Sequence, residues 1–121
     1  MQLKIITEDK IKSVRNVEIG ELVLCEEGKY LPVKSKLLIV TKAIFYRLSN
    51  GVEFHIYPRI LIKTPTGFKI PELWEPVCLD RKTEPVVVFK EYSQNLMVIC
   101  DILIDGNVIS PEGIVLKYGD N

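Results

Sequence analysis

The chain has 121 residues, 47% of them apolar and 26% charged, and its 16 Lys and Arg balance its 16 Asp and Glu. That length suits one compact domain spanning residues 1–121. The zero net charge gives no electrostatic ground for a nucleic-acid partner or for attraction to an anionic membrane, and no stretch approaches the ~20 apolar residues of a membrane span.

Along the chain, β-branched and aromatic residues gather in short runs separated by Gly, Pro, Asn and Asp, which is the signature of strands and turns. The opening "MQLKIITEDK" has no apolar core of signal-peptide length, and residues 3–7 within it read as a strand. Residues 21–25 read as a second strand, followed by the turn "EEGK", where Gly28 supplies positive φ. Residues 37–48 form one long apolar run that ends at Ser49-Asn50-Gly51, and Asn-Gly is the strongest short-range hairpin signal. Residues 52–57 return from it, and residues 60–63 lead into the turn "TPTG". "KIPELWEPV" allows one helical turn, stopped by Pro76. The polar stretch at 79–84 reads as an exposed loop, the place most tolerant of insertion. Residues 85–92 and 96–104 flank "SQN" and read as a second long hairpin; Asp105-Gly106-Asn107 is a third tight turn, and residues 108–117 close the chain. The expectation is an all-β, compact domain of many short strands and hairpins with little or no helix.

Cys25, Cys78 and Cys100 are far apart, odd in number and without CxxC spacing, so neither a disulfide framework nor a zinc site is expected, and each is read as a buried, reduced, structural thiol. No metal or cofactor is called for. The expected setting is reducing: the cytoplasm, or a virion or other particle assembled there. Phosphate-loop chemistry is not expected, because neither "SNG" nor "TPTG" carries the GK[ST] that a P-loop needs.

The order of these features is more specific than any one of them. Residues 6–33, with Gly20-Glu21-Leu22-Val23, resemble the opening of a Hint domain, the module of inteins and hedgehog autoprocessing proteins. "YRLSNGVEFHIYPRILIKTPTGFKIPELWEPV" is similar to the family's middle block, and "MVICDILIDGNVISPEGIVLKYG" to its closing strands. The resemblance implies a Hint-like β fold across nearly the whole chain. It also implies where chemistry would sit: a first-position Cys or Ser nucleophile, a middle-block His, a penultimate-strand His and a terminal His-Asn.

This sequence departs at each of these places. The nucleophile position falls before Met1, the middle His near Arg59, the penultimate His near Asp105 or Asn107, and the terminal pair on Lys117-Tyr118. An arginine stays protonated near neutrality and is no general base. His55, the one histidine, lies four residues before Arg59. Period-two alternation puts it opposite in facing to Phe54 and Ile56, at a solvent-facing or cross-strand position, although a shift of register would make it the middle-block His. Neither Cys25 as a nucleophile nor Asp80 with Asp101 as a carboxylate pair has an identifiable partner in sequence.

The expected function is therefore a non-catalytic Hint-like structural or interaction module with a protein partner, itself or another, in the manner of a phage or mobile-element assembly component. Tyr57, Arg59, Trp74 and Tyr118 are the candidate interaction residues. Tyr118 is expected to be partly exposed, whereas Trp74 has a competing reading in which it and Phe68 plug one end of the domain. Residues 86–89 are a candidate edge strand for β-augmentation. Two alternatives stay open. One is a residual autoprocessing or acyl-transfer enzyme of the intein-like class, marked by a low-pKa thiol. The other is a small β-barrel that binds nucleic acid, hinted at by "FYR" and "YPRILIK".

Overall fold

Asn50-Gly51 makes its expected turn in the computed structural model, which describes residues 2–80 and 84–119. The strands are β1 (Lys4–Ile6), β2 (Ile11–Ser13), β3 (Leu22–Leu24), β4 (Tyr30–Pro32), β5 (Ser35–Thr41), β6 (Ile44–Leu48), β7 (Glu53–Ile56), β8 (Leu61–Thr64), β9 (Gly67–Lys69), β10 (Val87–Tyr92), β11 (Met97–Leu103), β12 (Val108–Ile109) and β13 (Val115–Lys117). Single 3-10 turns at Val14–Asn16 and Glu26–Gly28 are the helical pieces among the described residues. Gly28, Gly51, Gly67 and Gly113 hold positive φ in the turns of the hairpins β3–β4, β6–β7, β8–β9 and β12–β13. A side chain with Cβ resists that conformation, which is why glycine stands there.

The two longest apolar stretches pair with each other, and this corrects two expectations. Residues 37–48 are not one strand, and "SQN" does not close a hairpin. β10 pairs antiparallel with β6, from Val87↔Leu48 to Tyr92↔Ile44. β11 pairs with β5, from Met97↔Thr41 to Leu103↔Ser35. The result is a long antiparallel ribbon, bent where both chains change sheet. Ala43 and Ser93 make the bend: the Ser93 N–H donates to the Ala43 carbonyl and the Ala43 N–H to Ser93 Oγ, each at 2.8 Å. A serine side chain that takes over a ladder hydrogen bond ends the regular pairing there.

Other boundaries also move. β2 was not anticipated; it pairs with β1 from Lys4↔Ser13 to Ile6↔Ile11. The closing run 108–117 divides into β12 and β13, because Gly113 N–H donates to Ser110 O at 2.8 Å and turns the chain back. "KIPELWEPV" makes a tight turn rather than a helical one, with Glu75 N–H on Glu72 O at 3.1 Å. Of the expected loop at 79–84, residues 81–83 lie outside the described residues.

One core unites the small sheets. Tyr46, Phe54, Ile5, Ile62, Ile102 and Leu116 are among its fully buried members. Burying each such side chain contributes about 1.5–3 kcal/mol. Tyr46 also satisfies its hydroxyl there, donating to Pro71 O at 2.9 Å. The aromatics fall differently from expectation. Tyr118 is not partly exposed; it is buried and belongs to this core, since β13 runs between β12 and β8 and carries the ring inward with it. Trp74 does not plug the domain: it is 68% exposed. Its backbone is left-handed, at φ 69°. Phe68 is half-buried.

Candidate functional site

The segments to which the resemblance assigns chemistry do converge. β13 pairs with β8, Lys117 opposite Leu61 and Leu116 opposite Ile62, so the terminal pair lies beside the segment that begins at Arg59. Beneath the end of β13 sits Asp101, a buried carboxylate of β11. Its Oδ1 accepts the N–H of Gly119 and that of Ile102, both at 2.9 Å. Gly119 has φ 80°, and a Cβ there would come within 3.2 Å of the Ile102 carbonyl oxygen. The carboxylate and the glycine together anchor the chain after Tyr118. Burial raises the Tyr118 phenol, with the nearby Asp101 carboxylate adding to it, so the ring stays neutral.

Neither lysine nor tyrosine carries the side-chain amide that a terminal cyclisation uses. Arg59 is exposed, and a guanidinium takes no proton. His55 keeps the cross-strand place its alternation predicts: it lies opposite Phe45, the rings 5.0 Å apart, between buried Phe54 and Ile56, and its backbone bridges Gln2. Asp80 and Asp101 are not a pair. Asp80 donates its N–H to Gly113 O, while Asp101 serves Gly119.

The three thiols are protonated near neutrality. Desolvation pushes Cys25 up to about 11, with the Glu26 charge adding to it. Desolvation also raises Cys100 and Cys78, and for Cys78 a hydrogen bond to Glu84 adds to it. Cys25 and Cys100 are buried; Cys78 is half-buried, which corrects the expectation that all three are enclosed. A thiolate nucleophile needs the opposite environment, electropositive and partly open.

Glu26 and Asn107 line a groove of about 300 Å³ beside Cys25, and with Lys63 they form a polar cluster that no motif in the sequence marks. Lys63 Nζ meets Glu26 Oε2 at 2.6 Å, and Asn107 Nδ2 donates to Glu26 Oε1 at 2.9 Å. Burial works against the Glu26 charge, but the bonds from Lys63 and Asn107 outweigh it and hold this carboxyl below its ordinary range. With both oxygens engaged, Glu26 ties β8 to the Asp105–Asn107 turn and is occupied as a base. No spacing in the sequence joins residues 26, 63 and 107. Among the described residues no three His, Cys, Asp or Glu side chains gather as a metal would require.

What stands open is apolar surface. On β5, Leu37 is 63% exposed, Leu38 56% and Val40 65%. Leu96, Val98 and Leu103 continue the exposure along and beside β11. Trp74 stands elsewhere, held by backbone bonds to β10 (Trp74 N–H to Val87 O, 2.7 Å) and flanked by the ion pairs Lys90–Glu72 and Lys69–Glu75. Of the other interaction candidates, Tyr57 is half-buried against the core and Tyr118 lies within it. The expected augmentation edge at 86–89 is already covered at its start, because Val87 N–H bonds Glu75 O and Pro76 bridges Val86. β5, by contrast, pairs among the described strands with β11 alone.

No family model matches the sequence, and no curated protein matches it in sequence. Solved structures match it closely in shape. The gp41-1 intein superposes with a TM-score of 0.83 at 19% identity, over 98% of this chain and 94% of that one. The Msm DnaB1 intein splicing domain bound with zinc gives 0.80 at 11% identity, over 98% of each chain. A DnaB intein from Synechocystis sp. PCC 6803 gives 0.75 at 15% identity, over 93% of this chain and 92% of that one. The fold is Hint-like and all-β, and at these identities the likeness is one of fold.

Proposed function

We propose that this chain is a Hint-fold interaction module that performs no splicing or autoprocessing of its own. The observation that carries the reading is the use made of the terminal-pair position. The resemblance puts Lys117-Tyr118 there; Tyr118 is part of the hydrophobic core, and the backbone after it is anchored by Asp101. A residue that must leave the core to react is a poor catalyst, and one that anchors the fold is a good scaffold part. The protonated thiols agree with this, since they supply no competing nucleophile. Fold and chemistry separate readily, so a splicing-domain shape carries no activity by itself.

In this reading the partner is a protein and the setting is an assembled complex, in the cytoplasm or in a particle. The test places the domain between two reporter proteins and follows intact mass over time, with and without added thiol and hydroxylamine. A single uncleaved species throughout is expected. Release of either reporter, or a ligated pair, would overturn the reading in favour of autoprocessing or splicing.

A further inference from the structure

We propose that β5 is a docking strand that accepts an extended, acid-flanked segment of a protein partner as an added antiparallel or parallel strand. The inference deepens the interaction-module reading and rests on it. A strand paired on one side leaves alternate backbone N–H and C=O groups pointing outward, which is a template for another strand. β5 is paired on one side, with β11, and at seven residues it equals β11 as the longest described strand. Leu37 points to one face of the ribbon and Leu38 and Val40 to the other, and all three are exposed, so β5 shows apolar side chains on both faces, and no second described strand pairs with its outer edge. Natural edge strands are usually short, bulged or charged in the middle. The centre of β5 is Leu-Leu-Ile-Val.

The charges around that centre give the partner's chemistry. Residues 33–42 hold Lys34, Lys36 and Lys42 and no acid. Lys34 is paired with Asp105. Lys36 Nζ donates to the Arg15 carbonyl, and among the described residues neither Lys36 nor Lys42 has an acidic partner. On β11 the one carboxylate, Asp101, is buried under Gly119. The surface is thus an apolar stripe with a cation at each end, about 20 Å apart at the rise of a strand. A second copy of β5 fits poorly: antiparallel pairing about Ile39 sets Lys36 against Lys42, and in-register parallel pairing sets each lysine against itself. An apolar segment with Asp or Glu at both ends satisfies backbone, side chains and charge together.

The probe is an acetylated, amidated peptide of sequence Asp-Glu-Val-Thr-Ile-Val-Thr-Glu-Asp, with a Lys-flanked peptide of the same centre as its counterpart. Amide spectra and hydrogen exchange of isotope-labelled full-length protein provide the readout. Saturable binding of the acidic peptide is expected, with slowed exchange at alternate amides of β5 and affinity at least about tenfold above that of the Lys-flanked peptide. K36E/K42E is expected to invert the preference, and Val40→Lys, a surface change away from the Lys36 contact, to weaken binding of both peptides. No saturable binding, equal affinities, or binding that leaves β5 exchange unchanged would overturn the proposal. So would slowed β5 exchange without peptide as protein concentration rises, which would make a second copy the occupant. Reporter release in the cleavage test would end the non-catalytic reading and leave these peptide results standing, so the two failures are distinct.

Discussion

Asp101 Oδ1 accepts the backbone N–H of Gly119 at 2.9 Å and so joins the end of β13 to β11, across the buried ring of Tyr118. This contact closes the domain at the place where the resemblance puts a reactive terminal pair. Asp101→Ala would leave the Gly119 and Ile102 N–H groups without their acceptor, at a cost of about 1–3 kcal/mol. Gly119→Ala would force a Cβ into positive φ and against the Ile102 carbonyl oxygen, costing about 1–2 kcal/mol from the backbone alone. Urea unfolding midpoints measure both, and an unchanged midpoint for either variant would show that the contact does not hold β13.

The thiols give a second prediction. At neutral pH all three cysteines are expected to react slowly with iodoacetamide in the folded protein. Cys78, half-buried, should label first, and Cys25 and Cys100 only on unfolding. Mass spectrometry of a time course gives the order. Rapid labelling of one site at neutral pH would mean a thiolate exists there and would revive a catalytic reading.

Trp74 tests the cost of surface presentation. A bulky residue at φ 69° carries about 1–3 kcal/mol of backbone strain, and this indole is mostly in water. Trp74→Gly is therefore expected to stabilise the fold, by about 1 kcal/mol after the entropy lost by glycine is counted. Its fluorescence should be red-shifted and readily quenched by iodide in the wild-type protein. Destabilisation by Trp74→Gly, or a shielded indole, would return this residue to a packing role.

Acid stability follows from three carboxyls. Glu21 is lowered by Lys12, Glu75 by Lys69, and Glu26 by Lys63 and Asn107 against the opposing effect of burial. A carboxyl whose folded pKa lies below its unfolded value stabilises the protein above that unfolded value, here 4.5, and the gain is lost as pH falls through the folded pKa. The thermal midpoint should thus hold above this range and decline below it. A variant with Glu21, Glu26 and Glu75 all changed to Gln should show a shallower decline. An equally steep decline in that variant would place the acid sensitivity elsewhere.

The sequence by itself determined the class of fold and most of its turns. Gly28, Gly51 and Gly67 sit where positive φ is needed, and alternation through residues 53–56 correctly faced Phe54 and Ile56 inward and His55 away. These are local matters, settled by each residue's own backbone freedom and by the two-residue period of a strand. The tertiary structure decided pairing and depth. Residues 85–104 look like a local hairpin, yet each half pairs with a segment some 40 to 70 residues away, because Ala43 and Ser93 bond to each other and split both runs. Tyr118 goes inward against expectation, and of the two readings of Trp74 the exposed one holds: a lone aromatic near a turn or terminus has no period to orient it, so tertiary packing, for Tyr118 that of β13 between β12 and β8, decides its depth. The Glu26–Lys63–Asn107 cluster and the open edge of β5 likewise exist only once distant strands meet, since nothing in the spacing of residues 26, 63 and 107 brings them together and an edge is defined by the neighbour a strand does not have.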